Sequence, residues 1–350
     1  MSDKTFNIAI VGLGFGAEFI PIHQAHPNAN LIAVCRRNEE EMTKVADEFN
    51  IEKRYTDYDE LLKDPEIDAV CIGTWPYLHC PITLAALEAG KHVLTEARMA
   101  MNVEEAHRMY EASLRYPNLT CQIVPSPIGF KVDRVVKELV ANGYLGELRE
   151  LVVLGADDSL LDDSLPLHWR NDTDLSGLNM LTLGIMHETV MRWSPLPCRV
   201  MAQTHIFTPE RKHWETGRLH PVTTPESIQV ITELENGGRG IYHFSGVTLG
   251  GPGLQIHLYG TQGTLKYQMN PKEKLLGLKR EEDSFSEIQI PLEMEYAWRV
   301  EEEFIGAIRG EEAVRFTDFE TGVRYMEFTQ AVAKSAETKR VMDLTVERKD

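Results

Sequence analysis

Short apolar runs alternate with amphipathic stretches through the first third of the chain. Phe6 to Val11, Leu31 to Cys35, Ala69 to Gly73, His92 to Leu94 and Thr120 to Val124 have the continuous apolar character of strands buried on both faces. Between them, Pro81 to Glu88, closed by Gly90, and Val103 to about Leu114 carry helical signals. Strand and helix in turn predict a doubly wound α/β domain with a parallel sheet. Pro125-Ser126-Pro127 breaks the alternation, so the expected domains are residues 1–124 and 125–350. Beyond Glu147 the pattern changes to longer β-rich runs: Leu148 to Leu154, Ser227 to Glu235, Gly240 to Val247, Leu254 to Tyr259 and Gly263 to Tyr267. Their spacing, with turn signals at Gly237-Gly238 and between Gly260 and Gly263, predicts an open, largely antiparallel sheet. Late helices, Tyr296 to Ile308 and Asp318 to Ser335, are expected over this sheet or back on the first domain.

The turn after the first strand carries the first chemical signal, Gly12-Leu13-Gly14-Phe15-Gly16-Ala17. Gly12 permits a tight turn, Gly14 lets backbone approach a pyrophosphate, and Ala17 is small enough for close helix packing. A following helix would aim N–H groups and a positive dipole end at phosphates. Glycine turns of this kind also occur for purely structural reasons. The strand at Leu31 to Cys35 completes a βαβ unit, and the residue after it decides which dinucleotide is accepted. An acid there would favour NAD, whereas this chain has Arg36 and Arg37. Two guanidiniums can clamp a 2′-phosphate and stack on adenine, so the expected cofactor is NAD(P) with a slight preference for NADP. The alternative is a solvated basic pair beside Glu39 and Glu40.

Composition narrows the classes. The chain has 350 residues, 43% of them hydrophobic, and a formal charge of −18, which disfavours nucleic acid and anionic lipid as partners. No apolar run approaches the roughly 20 residues of a membrane helix, and the N-terminus lacks a leader pattern, so a cytoplasmic location is expected. The five cysteines are scattered without metal-type spacing, which predicts reduced thiols and no metal site.

Several segments together carry a family resemblance: the glycine loop, Leu84-Ala85-Ala86-Leu87-Glu88-Ala89-Gly90-Lys91-His92-Val93-Leu94, Gly146-Glu147-Leu148, and Ile256-His257-Leu258-Tyr259-Gly260-Thr261-Gln262-Gly263-Thr264-Leu265. Over nearly its full length the chain resembles the glucose-fructose oxidoreductase, inositol dehydrogenase and MocA (Gfo/Idh/MocA) family. The resemblance implies a Rossmann-type domain joined to an α/β domain whose open sheet serves oligomer formation, as a homo-dimer or tetramer. It also implies a sugar or polyol held between the domains against the nicotinamide, with Thr74, Trp75, His79 and Glu96 along the cofactor. Packing at a strand end is the plain reading of Trp75 and His79.

Two departures make the chain an atypical member. Relatives usually have Glu-Lys-Pro where this chain reads Glu96-Ala97-Arg98. Alanine exchanges no proton, and Arg98 can hold a charge but is a poor base. The family's Asp-x-Gly-x-His frame reads Thr182-Leu183-Gly184-Ile185-Met186, and His187 comes one residue late, about 100° round an ideal helix. Either a bulge near Gly184 returns His187 to the pocket or the usual acid/base pair is absent.

The proton-transfer candidates are therefore His187, Glu188 and Tyr77. Each has a structural alternative: a core histidine, an ion pair with Arg192 at i,i+4, and a buried hydroxyl. Trp169, Arg170 and Asn171, beside His168, have the aromatic face and donors that grip a sugar, with His187 as a further contact, unless they form a packed loop. Arg211, Lys212, His213, Trp214 and Arg218 could recognise an anionic substrate group, or form a solvated loop balanced by Glu210 and Glu215.

The expected activity is an NAD(P)-dependent oxidoreductase acting on a sugar or sugar-like polyol. Two alternatives stay open. One is redox-neutral glycoside cleavage by oxidation, elimination and reduction; the other is a cofactor-binding regulator that has lost catalysis.

Overall fold

A computed structural model describes residues 4–344. The chain forms two compact units, one from residues 4–125 with 299–326, the other from 126–298 with 327–344. A single cut near residue 125 therefore does not separate them, because residues 299–326 return to the first unit.

The first unit is built on β1 (Phe6–Val11), β2 (Ala29–Cys35), β3 (Lys53–Tyr55), β4 (Ala69–Ile72), β5 (His92–Thr95) and β6 (Cys121–Ile123). They form one all-parallel sheet in the order β3-β2-β1-β4-β5-β6. Ile8, Ala9, Ile10 and Val11 are all buried, as expected of a strand covered on both faces. Helices start where side chains satisfy their first N–H groups. Asn38 Oδ1 accepts the Glu41 N–H at 3.1 Å for Glu39–Glu48, and Asn102 Oδ1 accepts the Glu105 N–H at 2.9 Å for Val103–Arg115. The helix Val300–Ile308 starts four residues after the expected Tyr296 and gives Val300, Phe304 and Ile305 to this unit's core. Each large apolar side chain buried this way contributes roughly 1.5–3 kcal/mol.

The second unit carries β7 (Leu148–Ala156), β8 (Pro197–His205), a small hairpin β9 (Glu210–Lys212) and β10 (Leu219–Pro221), β11 (Ser227–Leu234), β12 (Arg239–Ser245), β13 (Gly253–Gly260), β14 (Gly263–Gln268), β15 (Lys274–Lys279), β16 (Ser286–Glu287) and β17 (Met342–Asp343). Nine strands form one sheet, β16-β15-β14-β13-β7-β12-β11-β8-β17. The sheet is mostly antiparallel, but β7 and β12 run parallel, a pairing that hairpin spacing cannot reveal because the connection between them is long. One face packs Leu151, Val153, Tyr242, Phe244, Ile228 and Val230 against Leu183, Met186 and Val190 of the helix Leu183–Trp193, and against Phe328 and Val332. On the other face Met201, Ile231 and Ile241 stay 44%, 57% and 51% exposed. Register places these three side by side, with Val152 next to Ile241.

Candidate functional site

In the first unit the strand order reverses between β1 and β4, and open α/β sheets place ligands outside the carboxyl ends of strands at such a switch. The glycine loop follows β1 there, and Thr74 and Trp75 follow β4. Gly12 has φ +92°, and a Cβ on it would lie 2.7 Å from the Thr74 backbone and side chain. Nothing lies within 4 Å of a Cβ built on Gly14, so the space beside that backbone is open. This is the room a pyrophosphate needs. Close packing falls on Gly16 rather than Ala17: a Cβ on Gly73 would stand 2.5 Å from the Gly16 Cα. The loop passes first into a 3-10 turn, Phe15–Glu18, and then into the helix Phe19–Ala25. Phe15 is 64% exposed, its ring edge-on to Phe19 with centroids 6.0 Å apart.

Arg36 stands directly after β2. Its backbone N–H donates to Tyr55 O at 3.1 Å and its Nη1 to Leu13 O at 2.9 Å, so the side chain reaches back to the glycine loop. Its Nη2 pairs with the Glu41 carboxylate. Arg37 is exposed. The Glu41 partner sits three residues after the capping Asn38, a capping-box spacing that is visible in the sequence.

His79 is fully buried, with Nδ1 2.8 Å from Arg98 O and Nε2 2.9 Å from Thr74 O, so its ring ties two loops together through their backbones. Burial lowers its pKa. Trp75 caps the 3-10 turn Pro76–Leu78, and Tyr77 lies half-buried within that turn. Glu96 Oε2 accepts the Ala97 N–H at 3.2 Å, the Ala97–Arg98 bond is cis, and Arg98 is buried.

His187 and Glu188 belong to the second unit and are drawn into its interior. The helix Leu183–Trp193 is continuous, and both Met186 and His187 are buried on it. No bulge is needed to bury them, because the helix is packed widely enough to enclose neighbouring positions. The His187 ring stacks on Phe328 with centroids 3.7 Å apart, and its Nδ1 lies 3.0 Å from Tyr242 Oη. Burial lowers its pKa to about 3, which makes it a weak base at neutral pH. Glu188 Oε1 pairs with Arg192 Nη2 at 2.9 Å, and its Oε2 accepts the Ser126 N–H at 2.7 Å. Arg192 also donates to Ser126 O at 2.8 Å. The pair therefore anchors the segment entering this unit.

Trp169–Asn171 forms a 3-10 turn capped reciprocally: His168 Nδ1 accepts the Arg170 N–H at 3.2 Å, and Asn171 Oδ1 accepts the His168 N–H at 3.2 Å. Asn171 is buried, with its Oδ1 used in that cap. Arg170 is held by its carbonyl, which accepts from Asn179 Nδ2 and Thr224 Oγ1, each at 3.0 Å. Its exposed guanidinium lies 4.2 Å from the Trp169 ring centroid.

The basic segment is not one cluster. Arg211 is buried, paired with Glu226 at 3.0 Å, and donates to Leu160 O at 2.7 Å and Asp162 O at 2.8 Å. A buried guanidinium so committed cannot receive an anionic ligand. Lys212, Trp214 and Arg218 stay on the exposed hairpin. Among the described residues, no group of three or more His, Cys, Asp or Glu is placed to hold a metal ion, and no helix is long and apolar enough to cross a membrane.

Comparison with known proteins follows the same division. Two family profiles match: an oxidoreductase family with an NAD-binding Rossmann fold over residues 6–121, and the Gfo/Idh/MocA C-terminal domain over residues 134–266. The chain is 28% identical over 261 residues to levoglucosan dehydrogenase of Pseudarthrobacter phenanthrenivorans, covering 69% of this chain and 66% of that protein. It is 26% identical over 322 residues to 1,5-anhydro-D-fructose reductase of Ensifer adhaerens, covering 90% and 91%. A solved structure of levoglucosan dehydrogenase in complex with NADH has the same fold, with a TM-score of 0.83 at 20% identity over 98% of this chain and all of that one. The chain belongs to the Gfo/Idh/MocA oxidoreductase family, with an NAD-binding Rossmann domain followed by the family's C-terminal domain.

Proposed function

We propose that the protein is an NAD(P)-dependent oxidoreductase acting on a sugar or sugar-like polyol. The observation that carries this reading is the glycine loop at the β1/β4 switch point, turned at Gly12 and open beside Gly14. Gly12, Gly14, Phe15, Gly16 and Ala17 hold the pyrophosphate, and Thr74, Trp75, Glu96 and Arg98 lie toward the nicotinamide. A bound nicotinamide supplies hydride exchange. Arg36 and Arg37 support a slight preference for NADP over NAD. The sugar assignment is supported by two relatives whose names denote carbohydrate substrates and by Arg170 over Trp169, a platform suited to a ring with hydroxyls.

Tyr77 is the proton-handling group in this reading. It lies two residues after Trp75, and its phenol can donate a proton to a forming alkoxide, while its phenolate can take one from a hydroxyl. Tyr77→Phe should lower kcat by about 10²-fold or more and leave the dinucleotide Kd within twofold. An unchanged kcat would remove Tyr77 from the chemistry.

The exposed row of Met201, Ile231 and Ile241 supports a homo-oligomer, dimer or tetramer, formed through the second unit's sheet. The activity is tested by following nicotinamide absorbance with NAD⁺ and NADP⁺ against sugars and polyols, and with the reduced cofactors against keto-sugars. Turnover on a sugar supports the reading; silence across the panel contradicts it. Aglycone release from a glycoside without net reduced cofactor would instead identify the redox-neutral reaction.

A further inference from the structure

Arg36 is the residue through which the first unit would distinguish the two dinucleotides, and it is already engaged on both terminal nitrogens. Nη1 donates to Leu13 O at 2.9 Å, and Nη2 pairs with the Glu41 carboxylate. Glu41 is held in place from below, because its own N–H donates to the Asn38 Oδ1 cap at 3.1 Å in the first turn of the helix Glu39–Glu48. The neighbouring acid Glu40 is occupied elsewhere, pairing with Lys44 at 2.8 Å along the same helix.

We propose that Glu41 is a selectivity residue for the cofactor: its carboxylate competes with a 2′-phosphate for the outer edge of Arg36 and so limits the preference for NADP. An unphosphorylated ribose carries no anion to compete, so NAD is indifferent to the pair. A 2′-phosphate has to displace Glu41 or sit beside a like charge, and either weakens its binding. Arg37, exposed one residue further on, carries no such partner in the form of Glu41 and supplies a second cation. The inference rests on the reading of the glycine loop as a dinucleotide site, and it adds that a single acid outside the loop sets the ratio between the two forms.

The test measures equilibrium binding of NADH and NADPH to the full chain by nicotinamide fluorescence, with no substrate present. Glu41→Gln should tighten NADPH by about tenfold, equivalent to about 1.4 kcal/mol, and change NADH by less than twofold. The gain should disappear in an Arg36→Ala background and should not occur in Glu40→Gln, which removes an equal charge from the same helix turn. Unchanged NADPH binding in Glu41→Gln overturns the proposal, as does an equal gain for both dinucleotides or an equal gain in Glu40→Gln. If the parent protein binds neither dinucleotide, the dinucleotide reading itself fails and this inference with it. If the parent binds both and only the variant pattern is wrong, the dinucleotide reading stands.

Discussion

Single residues in this protein are defined by what they are committed to. His187 combines burial, a stacked Phe328 and a Tyr242 hydroxyl, and its imidazole is held at about 3; His23, beside Cys71 Sγ at 3.1 Å, is held at about 4. Both values lie below the 6.5 of an ordinary imidazole, so the unfolded chain takes up these protons as pH falls through 6.5 while the folded chain does not. Each histidine therefore costs nothing above that pH and destabilises the fold progressively below it, by about 2 kcal/mol near pH 5. Thermal melts across this range should be flat above neutrality and fall toward acid, with a shallower fall in His187→Gln; an identical slope in that variant would mean His187 is not a buried neutral imidazole. The residue types with chemical potential were visible in the sequence, but their commitments were not. Phe328 and Tyr242 lie far from His187 along the chain, and no local pattern announces that they enclose it.

At the scale of elements, local spacing predicted well whatever local physics decides. Two-sided burial produced the apolar runs of the parallel sheet, and alternating positions on β11 and β12 produced the recognisable β-rich stretches of the second unit. The parallel pairing of β7 with β12 depends on a long connection and was beyond such reading, whereas the late helices were expected over the sheet or back on the first domain, and Val300–Ile308 takes the second course. The β9–β10 hairpin shows how an element's purpose can differ from its composition. Arg211 pins it against Glu226 and the carbonyls of Leu160 and Asp162, while Leu167 N–H donates to Lys212 O at 2.7 Å. Glu226→Ala should leave a buried guanidinium uncompensated and destabilise the second unit by about 3–5 kcal/mol, read from chemical denaturation. A change under about 1 kcal/mol would show that the pair carries little. On the open face of the sheet, Ile231→Lys sets a charge among Met201 and Ile241 and should convert the proposed oligomer to monomer in sedimentation; an unchanged oligomer would move the interface elsewhere, and a monomeric parent would contradict the proposal.

For the molecule as a whole, the family assignment and the chemistry separate. The glycine loop, the Leu84–Leu94 segment and the Ile256–Leu265 hairpin were enough to place the chain in its family, because each is fixed by backbone requirements that side-chain divergence leaves intact. The acid/base residues are not fixed in that way. His187, one of the proton-transfer candidates, is buried in the second unit and stacked on Phe328. A nicotinamide dinucleotide that lies against Gly14 makes a clear prediction for a titration of the parent and of Gly14→Val with NADH and NADPH. A Cβ on Gly14 meets nothing within 4 Å, so the variant should still fold, with some loss of stability because the Gly14 backbone at φ −80° and ψ −104° suits valine poorly, and should lose at least about tenfold in affinity for both dinucleotides. Equal affinity in the two proteins, or no binding by the parent, would contradict the account.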